Sequence, residues 1–246
     1  MNSYPGQSWS SRPHVDQVAS RSDVWAMGAP MGYAADAFDD ARQKTQQPIV
    51  TGSSVLGLRY KDGIMLATDT LASYGSLARF MDVRRLEQVG SNVLIGAGGD
   101  MSDWQNIKLM LADLIESEQV QGDGHELTPA QLYAYLTQVM YGRRSKLNPL
   151  WNALVVGGYD KKASSSFLGY VDLLGTTYQS STIATGFGLH LAQPMLRKAV
   201  EGREDTLTES EARAIVDDCM RVLLSTGVST NWDFAEGLRG YGPQTQ

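Results

Sequence analysis

Few side chains in this sequence have the type and spacing that chemistry needs. The histidines are His14, His125 and His190, and no two stand four residues apart, the spacing that lets two imidazoles on one helix face share a zinc ion. No Gly-x-Ser-x-Gly elbow occurs, so a hydrolase nucleophile of that kind is excluded. The run Gly96-Ala97-Gly98-Gly99-Asp100 leads into a helical pattern, but it lacks the lysine of a phosphate loop and the glycine spacing of a dinucleotide site. Close packing of a strand against a helix accounts for it. The carboxylate pairs Asp39-Asp40 and Asp217-Asp218 are sequence neighbours, whose side chains diverge on regular structure, so they read as solvated faces. What remains is a hydroxyl, a carboxylate and a guanidinium. These are Ser53 in the run Thr51-Gly52-Ser53-Ser54-Val55-Leu56-Gly57, Asp69, and Arg85.

The elements that must position these three groups are antiparallel strands. Gly52 to Tyr60, the turn Lys61-Asp62-Gly63 and the run Ile64 to Thr68, closing on Asp69, predict a hairpin with the Asp-Gly turn such hairpins favour. A second pair, Val83 to Val89 and Val93 to Ala97 around Gly90-Ser91-Asn92, places Arg85 in its first strand. Asp100 is the expected N-cap of a helix whose apolar stripe is Trp104, Ile107, Leu111, Leu114 and Ile115. Thr128-Pro129-Ala130-Gln131 is a capping box with proline at the first helical position, opening a second helix that ends near Arg144. A third strand pair, Trp151 to Gly158 and Ser166 to Asp172, precedes a short strand at Thr177 to Ser181. A third helix runs from Gly186 or Phe187 to Val200, with Pro194 expected to bend it or begin a new turn. Thr208-Glu209-Ser210-Glu211 caps a fourth, with Ala212, Ile215, Val216, Cys219, Val222 and Leu223 on its buried face. Helices in sequential pairs between strand pairs predict two antiparallel sheets sandwiched by helix pairs, in one domain from Thr45 onward.

Composition narrows the class of function. The chain has 246 residues, 42% apolar and 20% charged, with 25 glycines and 8 prolines, which suits a globular protein and excludes collagen, mucin and coiled coil. Its net charge is −6 and its basic residues are scattered, which disfavours nucleic acid as a partner. A single cysteine, Cys219, permits no intrachain disulfide and no cysteine-based metal site, and fits a reducing compartment. No apolar run is long enough to span a membrane and no secretory signal opens the chain, so the expected location is cytoplasm and nucleus. Residues 1–44 are rich in Ser, Gly, Pro and Asp without apolar period, and read as a disordered leader or propeptide. Residues 225–246 read as a polar, glycine-punctuated arm that carries Trp232, Phe234, Leu238 and Tyr241.

Gly52-Ser53-Ser54-Val55-Leu56-Gly57, Gly63-Ile64-Met65-Leu66-Ala67-Thr68-Asp69, Ser73-Tyr74-Gly75 and Gly96-Ala97-Gly98-Gly99-Asp100 resemble, in order and spacing, the proteasome beta-subunit family of N-terminal nucleophile hydrolases. Longer runs, Thr45-Gln46-Gln47-Pro48-Ile49-Val50-Thr51-Gly52, Tyr74-Gly75-Ser76-Leu77-Ala78-Arg79-Phe80, Arg143-Arg144-Ser145-Lys146-Leu147-Asn148-Pro149-Leu150-Trp151-Asn152 and Ala192-Gln193-Pro194, resemble a non-catalytic member. The resemblance implies an α+β fold, a four-layer α-β-β-α sandwich of the N-terminal nucleophile hydrolase type, over residues 45–224. It also implies alpha-type and beta-type subunits as partners in a hetero-oligomeric four-ring particle, and no cofactor or metal.

Active members of the family free a threonine directly after a glycine and activate it with its own amine and a strand lysine. In this chain Gly52 is followed by Ser53, and Arg85 stands at the lysine's place. A guanidinium stays protonated and accepts no proton. The aspartate that active members carry after the fourth helix has no counterpart, because Arg221-Val222-Leu223-Leu224 runs into Ser225-Thr226-Gly227-Val228. The resemblance further implies propeptide cleavage between Lys44 and Thr45, which would leave the eight residues 45–52 ahead of Ser53 and make its nitrogen an amide. Ser53, Asp69 and Arg85 are therefore expected as degenerate positions of a subunit that works by assembly. The alternative is a self-processing hydrolase using Ser53, and a free-standing binding module is a third reading. In the family member resembled, the C-terminal arm reaches a neighbouring subunit, so Trp232 and Phe234 are the expected interface anchors. A strand pair that the family places between the fourth helix and the arm has no room here, and is expected to be missing.

Overall fold

The computed structural model describes residues 47–122, 124, 126–225 and 232–235, all within the unit Gln46–Gln246. The leader, the Lys44–Thr45 cleavage point, His14 and His125 lie outside the described residues. In chain order the elements are β1 (Val50–Gly52), β2 (Val55–Tyr60), β3 (Gly63–Asp69), β4 (Ala72–Tyr74), β5 (Leu77–Phe80), β6 (Leu86–Val89) and β7 (Val93–Asp100). They are followed by α1 (Met101–Gln121), α2 (Pro129–Ser145), β8 (Asn152–Asp160), β9 (Ser165–Val171), β10 (Thr177–Gln179) and β11 (Thr182–Ala184). The last three are α3 (Gly188–Val200), α4 (Glu209–Ser225) and β12 (Trp232–Ala235).

The helices follow their local signals. The Asp100 carboxylate accepts from the Ser102 amide at 3.0 Å and opens α1. At α2 the capping box is complete: the Gln131 amide donates to Thr128 Oγ1 at 3.3 Å, and the Thr128 amide donates back to Gln131 Oε1 at 2.8 Å. Such a cap contributes about 1 kcal/mol. α4 repeats the arrangement with Thr208 and Glu211. Pro194 neither ends nor restarts α3. It lies inside the helix at an exposed position, where water can replace the hydrogen bond that proline cannot donate.

The strands pair as two sheets. The larger has the order β10-β9-β8-β7-β1-β4-β5, with β6 also on β7, and the smaller is β11-β2-β3-β12. The expected first strand, Gly52 to Tyr60, is divided. Its first residue, Gly52, belongs with Val50 and Thr51 to the large sheet as β1, and the chain crosses at Ser53-Ser54 to enter the small sheet as β2. The expected Thr177–Ser181 strand is the shorter β10, in the large sheet, and β11, which the sequence does not announce, follows it in the small sheet. A β4–β5 hairpin absent from the sequence reading lies at the edge of the large sheet. The largest departure is at the C-terminus. Trp232–Ala235, read as part of an extended arm with the last strand pair missing, is a strand at the edge of the small sheet, antiparallel to β3.

Three apolar clusters hold these elements together. Trp104, Ile107, Leu111, Leu132, Leu136 and Met140 of α1 and α2 pack with Ile95, Leu154 and Val156 of the large sheet. Val55, Ile64, Leu66, Leu94, Val155 and Ile183 pack between the sheets. Leu196, Val200, Val216, Cys219 and Met220 of α3 and α4 pack on Leu56, Leu58 and Met65 of the small sheet. Each fully buried Leu, Ile, Val or Met in these clusters contributes about 1.5–3 kcal/mol. Gly63–Asp69 is buried at every position because β3 is covered by the large sheet on one side and by helices on the other.

Cys219 in the helix-facing cluster is 1% exposed, and its thiol is pushed up to about 11, first by burial and then by neighbouring Asp218. A thiol in the unfolded chain ionises near 8.5, so this burial stabilises the fold fully below that pH. The contribution declines as pH rises toward 11. In the native chain at pH 8 Cys219 is therefore expected to resist a maleimide and to label only on unfolding. Rapid labelling without unfolding would contradict this placement.

Candidate functional site

Ser53, Asp69 and Arg85 do converge, at the point where the chain crosses from one sheet to the other. The crossing strips Ser53 and Ser54 of their ladder partners, so side chains must satisfy the backbone there. The Val55 amide donates to Thr185 Oγ1 at 2.9 Å, and the Thr185 amide returns a bond to the Val55 carbonyl at 2.9 Å. Ser54 is 3% exposed, and its hydroxyl accepts from the Gly188 amide at the start of α3, at 2.9 Å. Ser53 Oγ lies 3.4 Å from Ser54 Oγ.

Arg85 is the centre of this region. It precedes β6 instead of lying within a strand, and it is 1% exposed. Its Nε donates to the Asp69 carbonyl at 3.0 Å, Nη1 to the Ala97 carbonyl at 3.1 Å and Nη2 to the Ser54 carbonyl at 3.1 Å. Nη2 also forms the ion pair with Asp69 Oδ1. One guanidinium thus ties together β3, β7 and the Ser53-Ser54 crossing that leads into β2. Burial pulls its pKa below the usual arginine value, and the Asp69 charge opposes that shift. The side chain has no lone pair to take a proton from Ser53. It can hold a carboxylate and three carbonyls in place, and it cannot serve as a base.

The backbone around Ser53 is equally constrained. β1 runs between β4 and β7, with Gly52 opposite Ala72 on one side and Gly99 on the other. The Gly52–Ser53 peptide bond is therefore the end of a strand held on both edges. A Cβ on Gly52 would stand 2.5 Å from Arg85 Cδ, so glycine is required by the close approach of the arginine stem. A Cβ on Gly98 would stand 2.7 Å from the Ser53 carbonyl oxygen, too close for any side chain without a backbone shift.

Several residues of this site carry no obvious sequence signal. Asn152, 1% exposed, donates from Nδ2 to the carbonyls of Gly98 at 3.0 Å and Asp100 at 2.8 Å, pinning the glycine-rich end of β7. Thr185 and Ser54 share the crossing with Ser53. The small-residue run Ala184-Thr185-Gly186 before a helix is the one local sign of close packing there. Trp232 stands opposite Asp69 in the β12–β3 register, which brings the C-terminal strand to the edge of the same region. His190 is exposed on α3. A cleft of about 630 Å³ lined by Arg59, Lys61, Asp62, Tyr159 and Asp205 lies at the turns of both sheets and touches none of Ser53, Asp69 or Arg85. Among the described residues, no three His, Cys, Asp or Glu side chains gather as a metal site.

Comparison with known proteins places this arrangement in context. Residues 49–235 match the family described as "Proteasome subunit". A Schizosaccharomyces pombe protein named "Probable proteasome subunit beta type-7" is 47% identical over 242 residues, covering 88% of this chain and 92% of that protein. "Proteasome subunit beta type-7" of Saccharomyces cerevisiae is 42% identical over 250 residues, with 88% and 93% covered. "Proteasome subunit beta type-4" of Xenopus laevis is 50% identical over 179 residues, with 73% of each chain covered.

Proposed function

Since this chain belongs to the proteasome subunit family, with its beta-type members, we propose that it serves the proteasome core as a structural, non-catalytic beta subunit in protein degradation. The observation that carries the non-catalytic reading is Arg85. At the position where a base would be needed stands a group that donates to three carbonyls, that of Ser54 next to Ser53 among them, and to a carboxylate. The Gly52–Ser53 bond adds to it, because the strand ahead of Ser53 is built into the large sheet and Ser53 keeps an amide nitrogen.

On this reading the stack of helix pair, sheet, sheet and helix pair is the four-layer sandwich of the N-terminal nucleophile hydrolase type, used as a building block. The subunit assembles with other proteasome subunits. The finer arrangement is a place in a beta-type ring of a four-ring particle, with alpha-type and beta-type neighbours. The protein would act in cytoplasm and nucleus, lose residues 1–44 by cleavage between Lys44 and Thr45, and need no cofactor. Contact with a neighbouring subunit is assigned to the segment 225–246 that holds Trp232 and Phe234. Their place at a sheet edge supports a contact made through a strand and its continuation, in place of a free arm.

The test is made on particles purified from cells that carry a tagged Ser53→Ala chain. Peptidase activity per particle and the N-terminus of the mature subunit are both expected to match those of the parent, with the start at Thr45. A start at Ser53 in the parent, together with covalent labelling of Ser53 by a hydroxyl-directed inhibitor, would restore the hydrolase alternative. Migration of the chain as a monomer on sizing would favour the binding module.

A further inference from the structure

β3 is buried at all seven positions, so both of its edges need partners. A backbone N–H or C=O left without one away from water costs about 1–3 kcal/mol. β2 covers one edge from Gly63 to Thr68. The other is covered from Leu66 to Asp69 by β12, with Trp232 opposite Asp69, Asp233 opposite Thr68, Phe234 opposite Ala67 and Ala235 opposite Leu66. β12 has four residues and, among the described residues, no second strand beside it in the sheet order. A strand that short does not persist by itself. It is held as a bound peptide is held, by main-chain hydrogen bonds along a sheet edge.

We infer that the Leu66–Asp69 edge of β3 is a strand-acceptor site. It is a seat for an extended peptide, filled by the chain's own Trp232–Ala235, and it takes the same segment from another molecule once its own is withdrawn. The seat ends at Asp69, whose carboxylate holds Arg85, so filling it also fixes the strand that carries half of the buried ion pair. The inference rests on strand register and is independent of the reading of function.

The test compares the full chain with a full chain carrying Asp233→Pro and Phe234→Pro, and uses a fluorescent synthetic peptide of residues 229–240. Successive strand residues turn their N–H groups to opposite sides, so one of the two prolines removes a ladder donor. Amides among Leu66–Asp69 are expected to exchange at least about tenfold faster in the proline chain. The peptide is expected to bind that chain and restore protection, to bind the unaltered chain at least about tenfold more weakly, and to lose binding when it carries both prolines. Protected amides in β7 and β8 establish that the proline chain is folded. Should it fail to fold, the unaltered chain decides: its Leu66–Asp69 amides must exchange at least about tenfold more slowly than those of the edge strand β5. Equal exchange there overturns the inference. So does a folded proline chain that leaves the peptide unbound or protects β3 as the parent does.

Discussion

Replacing Arg85 with methionine is expected to destabilise the chain by about 3–5 kcal/mol, because the Asp69 carboxylate then stays buried without its cation. The three carbonyls of Ser54, Asp69 and Ala97 lose their guanidinium donors in the same step, and each buried acceptor left short adds to the loss. This makes the figure a lower bound. Arg85→Lys keeps the charge but offers a point ammonium where a planar fork reaches acceptors on β3, on β7 and at Ser54, so it recovers only part of the stability. It is also expected to create no hydrolytic activity, since the strand ahead of Ser53 remains in the sheet. The pairwise contribution is isolated by a cycle of Arg85→Met, Asp69→Asn and their double variant, which removes both charges and should unfold at higher urea than Arg85→Met alone. Urea unfolding of the parent and the four variants measures all of this. If Arg85→Met stays within about 1 kcal/mol of the parent, the guanidinium is not the tie described.

The second large effect is expected at Gly99. This residue has φ +93°, stands between Gly52 of β1 and Asn152 of β8, and has no room for a side chain: a Cβ would overlap the Trp151 carbonyl oxygen and lie 3.0 Å from Asn152 Cα. Both contacts are with backbone, so no side-chain rotation relieves them. The Asp100 amide donates to that same Trp151 carbonyl at 2.9 Å, so moving it away also breaks a bond that seats the N-cap of α1. Gly99→Val, β-branched at a positive φ, is expected to cost more than about 4 kcal/mol and to leave little soluble folded chain. Gly99→Ala should act in the same direction with a smaller loss. Thermal unfolding and the yield of soluble chain check both. A Gly99→Val chain that melts with the parent would mean that β1, β7 and β8 do not meet at this residue.

These two residues differ in how far the sequence alone reveals them. Arg85 is a surprising type at its position once the resemblance is drawn, and that is enough to remove a base from the mechanism. What the guanidinium does instead is not written in its neighbours, because its partners are mostly main-chain carbonyls, which every residue carries. Gly99 is visible as one glycine of a run. Its need for a positive φ and its closeness to Trp151 come from a strand more than fifty positions away.

The sequence by itself determined the four helices of the described residues, the caps of three of them and the hairpin turn at Lys61-Asp62-Gly63, because these depend on contacts within a few residues: Thr128 with Gln131, Trp104 with Ile107 and Leu111 on one helical face. It also determined that the residue at position 85 cannot accept a proton. Tertiary structure decided which strands are neighbours. It divided the run from Val50 to Tyr60 between two sheets at Ser53-Ser54, turned Arg85 into the tie across that crossing, and seated Trp232–Ala235 beside β3 in place of an extended arm. Strand pairing is long-range and uses the backbone, so an alternating or apolar run announces a strand without naming its partner. The partner is chosen by the edge that would otherwise be left buried and unsatisfied, and that edge exists only in the folded chain.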